Sequence, residues 1–303
     1  MKFKKDDSSN SILYKRRGKE RMLYAMVAIV FLLLALALIF PMWYLLYNSL
    51  KTAWEYVKSL NEGTVLNLPV VAQWGNYIDA FKKISYRSIK VGEVTLLKMF
   101  WNSIWQLGLG MAIAIPLNAA IGYVMAKYNN KFVDFVFGLV VTSMVVNLGS
   151  NTAAFLTLIQ KIGLYDKWYF VPITSIGFGQ WLYFRSLYVG VPNDYIEAAR
   201  IDGAGHFTTF FKIMMPQAKG LMVILCVMHF ITCWSDYMGP LLYTPSYPTI
   251  ASGMYNVSTA LSRIGSYPIY FAAQILSIIP IILLFVKFSE QIMTGISFGG
   301  LKG

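Results

Sequence analysis

Apolar residues in this chain come in long unbroken runs, not in the short alternations of a soluble protein. Residues 23–47, 99–126, 135–160, 168–184 and 264–286 contain no Asp, Glu, Lys or Arg, and residues 220–243 contain only Asp236. A bilayer core about 30 Å thick takes about 20 helical residues. Five runs meet that length outright, and the fourth meets it if its helix continues past Arg185 toward Val189. Backbone polar groups in lipid are satisfied only by helices or closed barrels, and runs without a period of two favour helices. The pattern predicts an all-α membrane protein with six spans, at about 23–47, 99–126, 135–160, 168–189, 220–243 and 264–286. The first run is too long for a signal-peptide core and has no small-residue cleavage site after it, so it is expected to be an uncleaved anchor.

Composition agrees: 57% of residues are hydrophobic and 13% charged, about half the charge of a soluble domain. The net charge of +12 would suit nucleic acid if it lay on one soluble face, but the basic residues sit between the spans. Eight of them (Lys2, Lys4, Lys5, Lys15, Arg16, Arg17, Lys19 and Arg21) precede the first span in a basic tail, residues 1–21. By the positive-inside rule that end is cytoplasmic, and six spans return the C-terminus to the same side. Segments 127–134 and 185–219 then face inward. Residues 240–268 face outward with Arg263 as their one basic residue. The other outward segment, 49–98, departs from the rule with seven basic residues, offset by Glu55, Glu62, Asp79 and Glu93. Its mixture of aromatic and charged residues predicts short surface helices. Cys226 and Cys233 lie two helical turns apart, about 10 Å, too far for a disulfide.

Three spans have polar or small residues at mid-depth. Asn118 follows Pro116 in the second, Asn147 and Asn151 flank Gly149 and Ser150 in the third, and Gln180 follows Gly177 and Gly179 in the fourth. Each could serve close helix packing and interhelical hydrogen bonds. Shared by three spans, the pattern favours a translocation path, with Asn118, Asn147, Asn151, Gln180 and Asp236 as its candidates.

Segment 192–216 is the longest polar stretch between the later spans. Pro192 ends the fourth span, and Asp194 with Glu197 three residues on predicts a capping box. A short helix carrying Glu197, Ala198, Ala199 and Ile201 should follow. A turn at Gly203 and Gly205 and a second helix from about His206 to Pro216 complete a rigid surface elbow. Glu197-Ala198-Ala199, Gly203, and Ile213 with Pro216 after Met215 resemble the "EAA" loop of ABC importer permeases, and Asp202 and Ala204 fit its usual flanks of the glycine. The C-terminal residues Gly299, Gly300, Leu301, Lys302 and Gly303 are similar to the tail of maltose-type sugar permeases, and Trp234 to Tyr237 resembles a fifth-span segment of that family. Ser235 departs from its usual Asn, and the third span lacks its usual prolines.

The resemblance covers about residues 101–303, with a permease core at about 95–295. It implies a type I ABC importer (MetI-like) transmembrane domain in a bacterial cell membrane. Its ATPase-docking residues would be Glu197, Ala198, Ala199, Asp202, Gly203, Ala204, Ile213 and Pro216, and residues 299–303 would add a second ATPase contact. It also implies a homologous second permease, two ATPase subunits that hold ATP and Mg, an extracytoplasmic solute-binding protein and a sugar substrate, an oligosaccharide. The chain contains no G-x-x-x-x-G-K-[ST] pattern, so ATP must be hydrolysed elsewhere. With two His, His206 and His229, and no acidic neighbour at ligand spacing to complete a set of metal ligands, no catalytic or metal site is expected. The rival reading is an ion-coupled transporter using Asp236 and His229 as a proton relay. An ABC importer of a non-sugar solute is the other alternative.

Overall fold

The structure, a computed structural model, describes residues 18–128, 130–145, 152–170, 172, 179–261 and 266–297. The basic tail 1–17, Asn147, Asn151 and the tail 299–303 lie outside the described residues.

Among the described residues, three helices are long and apolar enough to cross a bilayer, by length and composition: Met22–Ser49, Leu96–Lys127 and Tyr267–Glu290, with the bent pair His206–Gln217 and Lys219–Ser235 a fourth if it counts as one span. The three belong to α1 (Gly18–Ser49), α4 (Leu96–Lys127) and α14 (Tyr267–Ser297). Between α1 and α4 come α2 (Ala53–Asn61), α3 (Gly75–Lys83) and an antiparallel hairpin of β1 (Ser85–Ser88) and β2 (Gly92–Thr95). The short helices follow the expectation; the hairpin adds strand to a chain expected to be all helix. Tyr86 pairs with Val94 and Arg87 with Glu93, and Gly92 takes φ +76° where the chain reverses. The third predicted span is helical as α5 (Lys131–Val145) and α6 (Thr152–Lys161), and the fourth as α7 (Gln180–Val189). A surface segment follows: α8 (Asp194–Ile201), α9 (His206–Thr209), a π-helical turn (Phe210–Met214) and α10 (Met215–Gln217). Its second limb, His206–Gln217, meets α11 (Lys219–Ser235) at 75°. The predicted fifth span does not run unbroken to 243: α11 ends at Ser235 and α12 (Met238–Tyr243) follows. The expected outward loop folds back as α13 (Ile250–Thr259), capped by reciprocal Thr249 and Ser252 bonds.

Two cores line up along α4. Toward the hairpin, Leu96, Met99 and Leu107 pack with Ile84, Val94, Trp234, Ile250 and Ile269 to Ala273. Toward the elbow, Ile115, Ala119 and Tyr123 pack with Phe184, Tyr188, Ile196, Phe210 and Leu225. At the elbow-side core α4 and α7 come closest. A Cβ on Gly122 would sit 2.5 Å from Phe184 Cβ and 2.8 Å from the Trp181 carbonyl, so only glycine admits this approach. One turn earlier, buried Asn118 donates to the Ala114 carbonyl (2.8 Å) and accepts the Trp181 N–H (3.1 Å), capping α7 from a neighbouring helix.

The basic residues of segment 49–98 are largely structural. Lys51 is buried and donates to the Val65 carbonyl (2.6 Å), Lys98 donates to the Glu93 carbonyl (3.1 Å), and Lys83 pairs with Asp79 (2.8 Å). Lys90, in the hairpin turn, bridges Asp166 at 2.6 Å. Charges held in local pairs and bonds have a reason to be there besides topology, which accounts for the departure from the positive-inside pattern.

Candidate functional site

The elbow is built from the end of α4 outward. Lys127, the last residue of α4, donates to the Val191 carbonyl (2.5 Å) and to Asn193 Oδ1 (2.8 Å). Asn193, not Asp194, is the N-cap of α8, and it makes no side-chain capping bond. The expected capping box is absent because the cap falls one residue earlier and its amide oxygen serves Lys127. Asp194 and Glu197 lie in the first turn of α8, where negative charge is favoured by the helix dipole.

The other end of α8 is closed by a Schellman motif. Gly203 N–H bonds to the Arg200 carbonyl (3.0 Å) and Ala204 N–H to the Ala199 carbonyl (2.8 Å), with Gly203 at φ +77°. This is the physical content of Asp202-Gly203-Ala204: a cap, a left-handed residue and the donor that closes the loop. Gly205 was expected to share the turn, but its φ of −72° is open to any residue. Tyr128 and His206 Nδ1 then bond at 2.7 Å, tying the second limb to the end of α4. Sequence reasoning missed Lys127 and Tyr128; the one signal was their place directly after the second span.

Burial sorts the motif into two faces. Ile196 and Ala199 point into the core with Phe210 and Met214, and Ile213 packs beside them. Glu197, Ala198, Asp202, Gly203 and Pro216 are exposed, and Ala204 is half-buried. Ile201 is 86% and Phe207 81% exposed, two large apolar side chains left uncovered on the surface segment. A cavity of about 380 Å³ lies under the elbow, lined by Tyr123, Ile196, Arg200, Ala204, Gly205, His206 and Thr209.

Of the described members of the predicted path, Asn118 and Gln180 come together, since Asn118 accepts from Trp181, the residue after Gln180, and Asp236 stands apart at the end of α11. Asn118 has both amide ends engaged between α4 and α7. Gln180 is half-buried, and among the described residues its Oε1 has no hydrogen-bond partner; the same holds for Arg185 Nε and the Tyr188 hydroxyl on the same helix. Asp236 is exposed at the break after α11, where Oδ1 accepts the Gly239 N–H (3.0 Å). A side chain at Gly239 would collide with that carboxylate. His229 is buried with Nε2 3.4 Å from Cys233 Sγ. Seven residues, about 10 Å of helix, separate it from Asp236, so the two do not form a relay contact.

A second polar cluster, on the hairpin side, was not foreseen. Asp166 accepts Ser246 N–H (2.9 Å), Ser246 hydroxyl (2.8 Å) and Lys90, and its own N–H bonds to the Tyr243 carbonyl. It joins the hairpin turn, the segment after α6 and the segment after α12. Burial raises the Asp166 pKa, but the Lys90 and Ser246 bonds outweigh it and hold the carboxyl below its usual range.

Long apolar helices and a capped surface elbow are the parts of a multi-pass membrane transport subunit. The chain belongs to the family described as binding-protein-dependent transport system inner membrane component, which matches residues 118–292. It is similar to the arabinooligosaccharides transport system permease protein AraQ of Bacillus subtilis (strain 168), with 29% identity covering 91% of this chain and 95% of that protein. It is also similar to the maltodextrin transport system permease protein MdxG of the same organism, with 28% identity covering 75% of this chain and 81% of that one. In fold it resembles a bacterial ABC transporter involved in the import of the acidic polysaccharide alginate, with a TM-score of 0.71, 17% identity and coverage of 91% and 98%. The chain is thus a transport component, and the hydropathy reading of a helical multi-pass membrane protein stands.

Proposed function

We propose that the chain is one of two permease subunits of an ATP-driven importer that carries an oligosaccharide into a bacterial cytoplasm. The observation that carries the reading is the elbow, a rigid limb set at 75° to the following span with apolar Ile201 and Phe207 uncovered. Its outward residues Glu197, Ala198, Asp202, Gly203, Ala204 and Pro216 form the seat for an ATPase subunit, with Ala199 and Ile213 fastening it to the core. Eight basic residues ahead of the first apolar run, six before α1 and Lys19 and Arg21 within it, support a cytoplasmic elbow and cytoplasmic termini. Two ATPase subunits hold ATP and Mg; residues 299–303 reach them as a second contact. A homologous permease completes the bundle, and a solute-binding protein delivers the sugar on the hairpin side.

In mechanism, closure of the ATPases pushes on α8. The Schellman turn and the Lys127 and Tyr128 bonds leave that limb little freedom to yield, so its displacement passes to α4 and α11. Asn118, Asn147, Asn151, Gln180 and Asp236 are the path candidates, of which Gln180 has a buried Oε1 with no hydrogen-bond partner among the described residues. An oligosaccharide is the substrate class supported by the AraQ and MdxG likenesses and by the tail. The test is uptake of labelled arabino-oligosaccharides and maltodextrins into right-side-out vesicles of a strain carrying the transporter. Uptake is expected to stop on ATP depletion and to survive a protonophore; the reverse result would sink the reading.

A further inference from the structure

The hairpin end of α1 carries an aromatic girdle of Trp43, Tyr44 and Tyr47, with Trp43 and Tyr47 stacked 4.9 Å apart. Trp and Tyr concentrate where a span leaves the hydrocarbon. Residues 50–52 then connect directly to α2, whose level relative to the bilayer can be read from its contacts. Tyr56, on its buried face, has its hydroxyl 3.2 Å from that of Tyr44 and its ring 5.4 Å from both Tyr267 and Phe271. Tyr44 lies five residues before the end of α1 and Phe271 four after the start of α14, about 6–8 Å along either helix. Helix α2 therefore lies level with the last turns of two spans, not above them.

Its other face is apolar and uncovered: Trp54 is 73%, Val57 48% and Leu60 52% exposed. At 100° per residue these three occupy one arc of about 120°. Lys58 borders the arc with its ammonium 5.2 Å from the Trp54 ring centre, an apolar stem with a charged tip. The segment after α2 continues the surface, with Leu68 80% and Val70 88% exposed. It is tied to the same level. Tyr47 donates to the Leu66 carbonyl (2.8 Å), Lys51 to the Val65 carbonyl (2.6 Å), and Val70 N–H to Glu55 (2.8 Å). The patch is continuous along the chain with α1, whose residues from Met22 to Met42 are exposed and which meets lipid.

We infer that α2 and residues 66–71 form a collar embedded in the headgroup–acyl boundary of the hairpin-side leaflet, with phospholipid as the occupant. Interfacial helices bind in this way, apolar face down and basic residues at the edge. The collar sets the depth of α1, whose stable packing against the rest of the chain is confined to its hairpin end through Tyr44 and Leu45.

The test uses the complete transporter in liposomes of phosphatidylethanolamine and phosphatidylglycerol, with Cys226→Ala and Cys233→Ala as background. Nitroxides are placed singly at Val57→Cys, Leu60→Cys and Val70→Cys, with Ile89→Cys at the fully exposed hairpin tip as the aqueous reference. At 57, 60 and 70, collision with oxygen is expected to exceed collision with a water-soluble nickel chelate, and at 89 the order should reverse. Nickel dominating at the collar would mean water, and loss of both collisions would mean a protein partner. Either result overturns the proposal, independently of what the transporter carries.

Discussion

Asn118 satisfies two backbone groups on two helices, a role no single sequence position reveals. Its amide joins α4 to α7 through the Ala114 carbonyl and the Trp181 N–H. Asn118→Leu keeps the volume but leaves a buried donor unmade, a cost of about 1–3 kcal/mol. The expected outcome is a lowered thermal midpoint in detergent, with uptake reduced in proportion to the folded fraction. A loss of uptake at full stability would mean that Asn118 touches the solute instead. Asp166 is a second case. Its φ of +56° suits Asp and Asn, so Asp166→Asn removes charge without backbone strain. Its folded pKa is depressed, so its contribution is present above the ordinary 3.8 and is lost as pH falls through the folded value. Lys90, raised by the same bond, contributes below its ordinary 10.5 and loses that contribution as pH rises through the folded value. The bridge should thus hold across the neutral range. Protection of the amides at residues 88–92 and 244–246, measured relative to the intrinsic exchange rate at each pH, is expected to fall in strong acid in the wild type. In Asp166→Asn it should already be low at neutrality. The cluster was hidden because residues 90, 166 and 246 share no periodicity and meet only in three dimensions.

For elements, the elbow shows where local rules suffice. The turn, the two limbs and the exposed Glu197 and Ala198 were legible because a Schellman cap depends on neighbouring residues alone. The N-cap was misplaced by one residue because Lys127, 66 residues before Asn193, competes for its side chain. Gly203 carries the turn: proline is confined near φ −65° and lacks the N–H that bonds to Arg200. Gly203→Pro is expected to reach the membrane at normal levels but to lose co-purification of the ATPase subunits, and uptake with it. Gly203→Ala should cost only about 1–2 kcal/mol and retain both. Normal uptake by the proline variant would show that the elbow does not transmit force. The hairpin and α13 were the less legible elements. The hairpin's four-residue strands are too short for a clear alternation. The α13 region reads as loop until Asn102, Ser103 and Gln106 of α4 bond to Pro248, Ile250 and Tyr247.

Over the whole molecule, two cores on one long helix connect the hairpin side to the elbow side, so a push on α8 has a continuous packed route through Tyr123 and Ile115. In the proposed mechanism the push comes from a separate ATPase subunit, which is why the uptake test turns on ATP and not on a proton gradient. By itself the sequence determined the membrane-spanning character, the three longest spans, the elbow and the family. Each rests on length, hydropathy or near-neighbour spacing, quantities written along one dimension. Only the tertiary structure decided which polar residues are free. Asn118 is spent on packing, Asp236 on a helix break and Lys51 on a loop carbonyl, whereas Gln180 Oε1 has no partner among the described residues. The physical reason is that a polar group's availability depends on partners up to 147 residues away in the chain, as between Ser103 and Ile250. Hydropathy records that a polar group is present and is blind to what already satisfies it.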